Sequence, residues 1–298
     1  MHASPKLTVR VGCRLVYQTV NPTPILLAIR PRASDGQSII TENLYVDPYT
    51  GYDELKDWQG NAIDRWDLTP GETTIIDDAL VEVPAMADDF NRRTYSVPVK
   101  ELPPDVIRCI LPSRYCDSDK TQLFASQQFG FLVNGVDRVV AISNWVHHNI
   151  QYVTGSGRPD LSASEVIARG YGVCRDFAHV AIALCRSVNI PARYVTGHLP
   201  DIGCRDPGTP MDFHAYMEAY LDGVWCAFDA RYNVPRIGRV KVAHGLDAAD
   251  CAFSTTFGDA RLASFQVWAY QVDPAAVSVG DPVDLSKRLD GTPEVRLA

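Results

Sequence analysis

The chain carries no surplus of basic residues: 28 Lys and Arg stand against 36 Asp and Glu, a formal charge of -8 with a pI near 5.3. Without a cationic face to displace counterions from a phosphate backbone or to grip an anionic bilayer, nucleic acid and membrane surfaces are not expected partners. Apolar runs such as Ile25 to Ile29 and Val180 to Leu184 stop well short of the roughly 18 residues a membrane span needs. The N-terminus, Met1 to Arg10, has no apolar h-region, so no secretory signal is expected and the cytoplasm is the expected compartment. The eight cysteines (Cys13, Cys109, Cys116, Cys174, Cys185, Cys204, Cys226, Cys251) contain no C-x-x-C pair. That spacing speaks against a zinc or disulfide framework and for reduced thiols, most of them small core residues. Internal repeats and the D-x-[DN]-x-[DN]-G calcium loop are also missing, and neither a cofactor nor a metal is called for.

What is present suffices for two domains: 298 residues with 46% hydrophobic content. The expected class is α+β, with residues 1–95 forming an N-terminal β-sandwich and residues 96–298 a second domain in which a helix packs on an antiparallel sheet. Leu7 to Tyr17, Ile39 to Val46, Ala62 to Leu68 and Thr73 to Val83 alternate apolar with polar residues, and Asn21-Pro22, Asp35-Gly36, Asp47-Pro48, Gly60-Asn61 and Pro70-Gly71 punctuate them. Residues 85–105, with Asp88-Asp89 and Pro103-Pro104, read as a linker. Beyond it, Asp137 to Gln151 has the 3-4 spacing of an amphipathic helix, and Ser162 with Glu165 makes a capping-box pattern for a short second one. Val173 to Val188 reads as a buried helix beginning at or just after Cys174. Strands follow at Ala192 to Gly197, His214 to Leu221 and Val224 to Ala230, the last two joined by an Asp222-Gly223 turn. Residues 240–273 are expected to add a short helix and a closing strand at Phe265 to Val272.

A cysteine attacks as thiolate, which a helix N-terminus and a neighbouring imidazolium both favour. Cys174 has the first feature by position, and the Gly170-Tyr171-Gly172 lead-in lets the backbone bring it to the surface. The hairpin places the second. A two-residue turn pairs Leu221 with Val224, hence Tyr216 with Asp229 and His214 with Arg231, so His214 and Asp229 are diagonal neighbours on one face. The other face (Ala215, Met217, Ala219, Leu221, Val224, Cys226, Phe228, Ala230) is uniformly apolar and must be buried. A three-residue loop would break this parity. An imidazole held by a carboxylate takes a thiol proton, with the acid fixing the tautomer.

The segments Gly170-Tyr-Gly-Val-Cys174-Arg-Asp-Phe-Ala-His, Asn189-Ile-Pro-Ala-Arg-Tyr-Val-Thr-Gly-His198, His214-Ala-Tyr216 and Trp225-Cys-Ala-Phe-Asp229-Ala resemble the transglutaminase-like superfamily, in particular its bacterial cysteine proteases. The resemblance covers Asp137 to Val272, and the β-rich region before it is similar to a domain often joined to this papain-like core. It implies Cys174 as nucleophile, His214 as base and later acid, and Asp229 as orienting carboxylate, acting on a peptide or protein amide through a thioester. The Cys174 N–H at the helix start is itself a candidate oxyanion donor, and the resemblance implies a second donor on a side chain upstream, for which Tyr152 is the candidate and Trp145 an alternative. Two departures are Tyr216, where the family usually has Trp, and Ala230, where Pro commonly follows the acid. Water and an amine remain open as acceptors, with hydrolysis favoured; a non-catalytic scaffold or another acyltransferase are the alternatives. Asp176 reads as helix N-terminal electrostatics, His179 as structural, and His147-His148 as a solvated helix face. The residues leave oligomeric state open.

Overall fold

A computed structural model describes residues 5–34, 36–88, 95–133 and 135–291. Six strands come first: β1 (Lys6–Thr19), β2 (Thr23–Leu27), β3 (Ser38–Asp47), β4 (Tyr52–Lys56), β5 (Ala62–Leu68) and β6 (Gly71–Pro84). Helices then intervene: α1 (Pro104–Ile107), α2 (Ser118–Phe129), α3 (Gly135–Asn149), then strand β7 (Gln151–Tyr152), α4 (Ala163–Arg169), strand β8 (Tyr171–Gly172) and α5 (Cys174–Ser187). Strands close the chain: β9 (Ala192–His198), β10 (His214–Leu221), β11 (Val224–Phe228), β12 (Val240–Gly245), β13 (Ser254–Thr256) and β14 (Ala260–Val272).

The N-terminal strands form two four-stranded sheets, β14-β1-β6-β3 and β13-β2-β5-β4. Alternate apolar residues of both sheets, among them Leu15, Tyr17, Ile25, Leu27, Trp66 and Ile75, meet in one core, which makes the unit a sandwich. The sheets do not respect the expected division at residue 95. Strand β1 is long enough to pair along its whole length with β6 on one side and β14 on the other, so the C-terminal strand closes the sandwich. The helix expected early in residues 240–273 is instead strand β12, which pairs with β9. Among its described residues, the linker expected over residues 85–105 holds a bridge from Ser96 to Leu221, a short turn at Val99–Glu101 and the start of α1; residues 89–94, including Asp89, lie outside the described residues, as does Asp35 of one expected turn.

A third four-stranded sheet, β11-β10-β9-β12, is antiparallel throughout. Helix α5 lies on it, buried over nearly its whole length, and shares a core with Ala215, Met217, Ala219, Leu221, Cys226, Phe228 and Ala230. That is the face the alternation predicts. Val224, beside the turn, is 56% exposed, while Leu221 and Asp222 on the other side of the turn pair with Ser96 and Tyr95. The register is also as predicted: Leu221 pairs with Val224 and Met217 with Phe228. Asp222 and Gly223 make it possible by taking φ of 47° and 83°, the pair of positive values a two-residue hairpin demands.

Candidate active site

Cys174 is the first residue of α5, after Val173 in extended conformation. Val173 has no side-chain acceptor, so only the return half of a capping box forms: Asp176 Oδ2 accepts from Val173 N at 3.0 Å, and Asp176 is fully buried. Gly172 permits this, since a Cβ there would come within 2.6 Å of Asp176. The thiol is partly exposed, whereas six of the eight cysteines are buried and only Cys204 shares its accessibility. Burial pushes Cys116 and Cys185 up to about 12, so those thiols stay protonated at neutral pH.

His214 opens β10 and Asp229 follows β11, and their side chains meet: His214 Nε2 donates to Asp229 Oδ2 at 2.7 Å. The bond fixes the tautomer and leaves Nδ1 unspent on that carboxylate, and the Cys174 thiol lies near enough to the ring to interact with it electrostatically. Burial disfavours the imidazolium, but Asp229 and then Cys174 outweigh it, and the His214 pKa is raised above its ordinary value. Burial likewise works against the Asp229 carboxylate, yet His214, Arg239 and a backbone amide hold its pKa far below the usual range.

Several contributors around Asp229 were not anticipated. Asp229 Oδ1 accepts from the backbone N–H groups of Arg231 at 3.1 Å and Tyr232 at 3.3 Å. Arg239 Nη2 reaches Asp229 Oδ2 at 3.2 Å while its Nε donates to Asp88 Oδ2 at 2.7 Å, and its guanidinium lies 4.5 Å from the Tyr216 ring centre. The Tyr232 ring packs 5.4 Å from that of His214. His147 corrects the reading of a solvated face: its Nδ1–H donates to the carbonyls of Ala230 at 3.1 Å and Arg231 at 2.9 Å. His148 remains exposed.

Tyr152 ends the short parallel bridge β7-β8, next to the lead-in of Cys174, and the two groups interact electrostatically. Its hydroxyl pKa is raised by burial, partly offset by Arg231, whose guanidinium lies 3.8 Å from the ring centre. Trp145 instead packs edge-on against Phe124 in the helical core, at 5.0 Å. His179 is fully buried, stacked 5.1 Å from Tyr115, with Nε2 accepting from Ala248 N at 3.1 Å; burial lowers its pKa to about 3. His244 accepts from Arg32 at 2.8 Å and ties the sandwich to β12. A groove of about 550 Å³ runs past Tyr152, Phe177 and Arg231. A larger cavity of about 660 Å³ lies on the outer face of the sandwich, lined by Arg14, Trp268 and Leu285 among others, and touches none of Cys174, His214 and Asp229.

A family model described as the transglutaminase-like superfamily matches residues 124–230, the segment that holds Cys174, His214 and Asp229. A crystal structure of a candidate cysteine protease from Cytophaga hutchinsonii is 36% identical, covers 91% of this chain and 92% of its own, and superposes with a TM-score of 0.84. The chain belongs to the transglutaminase-like superfamily, and the sandwich and the helix-bearing core are shared with that structure as one arrangement. An uncharacterized protein of Mycobacterium leprae, ML0607, is 24% identical over 233 residues, 75% of this chain and 82% of that one. The periplasmic domain of TgpA from Pseudomonas aeruginosa shows a looser likeness, 16% identity over 78% of this chain and 72% of that one, with a TM-score of 0.43. No described helix is long and apolar enough to cross a membrane.

Proposed function

We propose that the chain is a thiol hydrolase that cleaves amide bonds of a peptide or protein. Cys174 attacks the carbonyl carbon, its proton passes to His214 Nδ1, and the tetrahedral oxyanion is received by the Cys174 N–H and the Tyr152 hydroxyl. His214 then protonates the leaving amine, and a water activated by the same ring resolves the thioester. Asp229 fixes the ring and balances the imidazolium. The observation that carries this reading is the buried 2.7 Å bond from His214 Nε2 to Asp229 Oδ2, which leaves the other ring nitrogen available to the Cys174 thiol at the start of a helix, a group that interacts electrostatically with the ring. Hydrolysis rather than amine transfer is supported by the candidate cysteine protease of Cytophaga hutchinsonii, at 36% identity. Eight free thiols support a reducing, cytoplasmic setting.

The test is a peptide-library screen for cleavage and for amine incorporation, run beside Cys174→Ala. Cleavage that the variant lacks supports the hydrolase, and incorporation without cleavage redirects the reading to a transglutaminase. Iodoacetamide at neutral pH supplies an independent check, with Cys204 as internal reference. Cys174 is expected to react first and His214→Ala to abolish that priority; equal labelling of Cys174 and Cys204 would sink the enzyme reading in favour of a silent scaffold.

A further inference from the structure

We propose that Arg231 forms a subsite for an acidic side chain of the substrate, close to Cys174; the proposal rests on the amide-cleaving reading above and names its substrate class. The guanidinium is held in place from three directions. It lies 3.8 Å from the Tyr152 ring centre and 4.6 Å from that of Tyr232. Its backbone N–H donates to Asp229 Oδ1 at 3.1 Å, and its carbonyl accepts from His147 at 2.9 Å. Stacking on aromatic faces uses the plane of the guanidinium and leaves its in-plane N–H fork unspent. Among the described residues, no carboxylate lies within ion-pair distance of Arg231 and no acceptor takes a hydrogen bond from its side chain.

The groove into which it opens, about 550 Å³, is lined by His147, His148, Gln151, Tyr152 and Phe177 among others and contains no acid. Asp212 interacts electrostatically with both His214 and Arg231, yet it is exposed and forms no ion pair with either. Among the described residues, Arg231 therefore has no ion-pair partner at the place where Tyr152 interacts with Cys174, and Asp212 offsets its charge only through space. A carboxylate carried by a bound peptide meets a fixed, partly desolvated fork there, where a bidentate charge-assisted pair is geometrically matched. A neutral amide of the same shape gains much less, because it replaces equivalent bonds to water.

The experiment alkylates the full-length protein with matched peptidyl chloromethyl ketones, in which Cys174 displaces chloride to give a thioether. The probes are acetyl-Ala-Glu-Ala and acetyl-Glu-Ala-Ala chloromethyl ketones, each beside its Gln counterpart, so that either register is sampled. One Glu probe is expected to inactivate faster than its Gln partner by about tenfold. Arg231→Gln is expected to bring that ratio to about one and Arg231→Glu to invert it, a readout internal to each variant and insensitive to how much of it folds. Equal rates for Glu and Gln in the wild type, with Cys174 still preferred by iodoacetamide, would overturn the subsite and leave the proposed reaction standing. Silence of Cys174 toward every probe and toward iodoacetamide would remove the reaction and the subsite together.

Discussion

Arg239 and His214 converge on one oxygen: Asp229 Oδ2 lies 3.2 Å from Arg239 Nη2 and 2.7 Å from His214 Nε2. The carboxylate is thus shared between a permanent cation and a titrating one. Arg239 reduces the negative potential that Asp229 delivers to the imidazole and adds a positive charge of its own, so both effects make the cysteine–histidine pair give up protons more readily. Arg239→Gln is expected to shift both limbs of the pH profile of kcat/KM toward alkaline pH, by about half a unit to one unit. The direction does not depend on which limb belongs to which residue. An unmoved or acid-shifted profile would show that Arg239 acts only as a brace.

Asp229→Asn tests the carboxylate itself. The amide keeps the shape but lets Asn donate to Nε2 and select the wrong tautomer, so kcat should fall by about a thousandfold or more. Stability should change with a definite pH dependence. The pKa of Asp229 is depressed in the fold, so its contribution is complete above the unfolded value of about 4 and is lost as pH falls through the lower folded value. His214, whose folded pKa is raised, contributes in the opposite sense: fully below its unfolded value of about 6.5, and less as pH rises through the folded one. Thermal unfolding of the wild type and Asp229→Asn should therefore differ most between these two limits, with the gap closing below about pH 4. A gap that stays constant down to pH 3 would contradict the depressed carboxylate.

The meeting of His214 and Asp229 is legible because strand alternation and an Asp-Gly turn fix parity, and parity fixes which side chains share a face. The same rules are silent about Arg239. It follows Asp229 by ten positions through a segment without periodicity, and its place beside Asp229 arises from tertiary packing around Asp88 and Tyr216. Strand β4 is not legible in the sequence because all five of its residues are exposed, which leaves no alternation to read. Helix α2 is hard to read because its sequence, SDKTQLFASQQF, concentrates few apolar residues on one face. The pairing of β14 with β1 joins residues about as far apart in sequence as the chain allows, and nothing local announces it.

His147 offers a test of how firmly the segment after Asp229 must be held. One N–H serves the carbonyls of Ala230 and Arg231, while Asn144 Oδ1 accepts from Asn233 Nδ2 at 2.6 Å, so α3 is tied twice to the segment that carries Asp229, Arg231 and Tyr232. His147→Phe removes the donor and keeps the bulk. Loss of about 1 kcal/mol of stability is expected, together with a kcat reduced by about tenfold and a smaller change in KM, as for a group whose main part is to orient the machinery. His147→Asn, which can still donate, should recover part of kcat. No difference between the two variants would mean that the hydrogen bond does not matter.

Gly172 sets the position of the thiol. A methyl group there would sit 2.6 Å from both Cβ and Oδ2 of Asp176, a buried side chain on the first turn of α5 with no room to retreat. Gly172→Ala must therefore displace Asp176, break its 3.0 Å bond to Val173 N, and move the start of the helix that presents Cys174. A stability loss of about 2 kcal/mol is expected from overpacking. Iodoacetamide labelling of Cys174 should slow relative to Cys204, because the sulfur would be displaced relative to the His214 ring. Gly170→Ala provides the contrast: its φ of +76° carries a backbone cost, but a Cβ there meets no atom, so stability should fall while the labelling preference survives. If both variants lose stability and neither alters the preference, the lead-in only ends the preceding helix, and the placement of the sulfur must be set by α5 and the sheet beneath it.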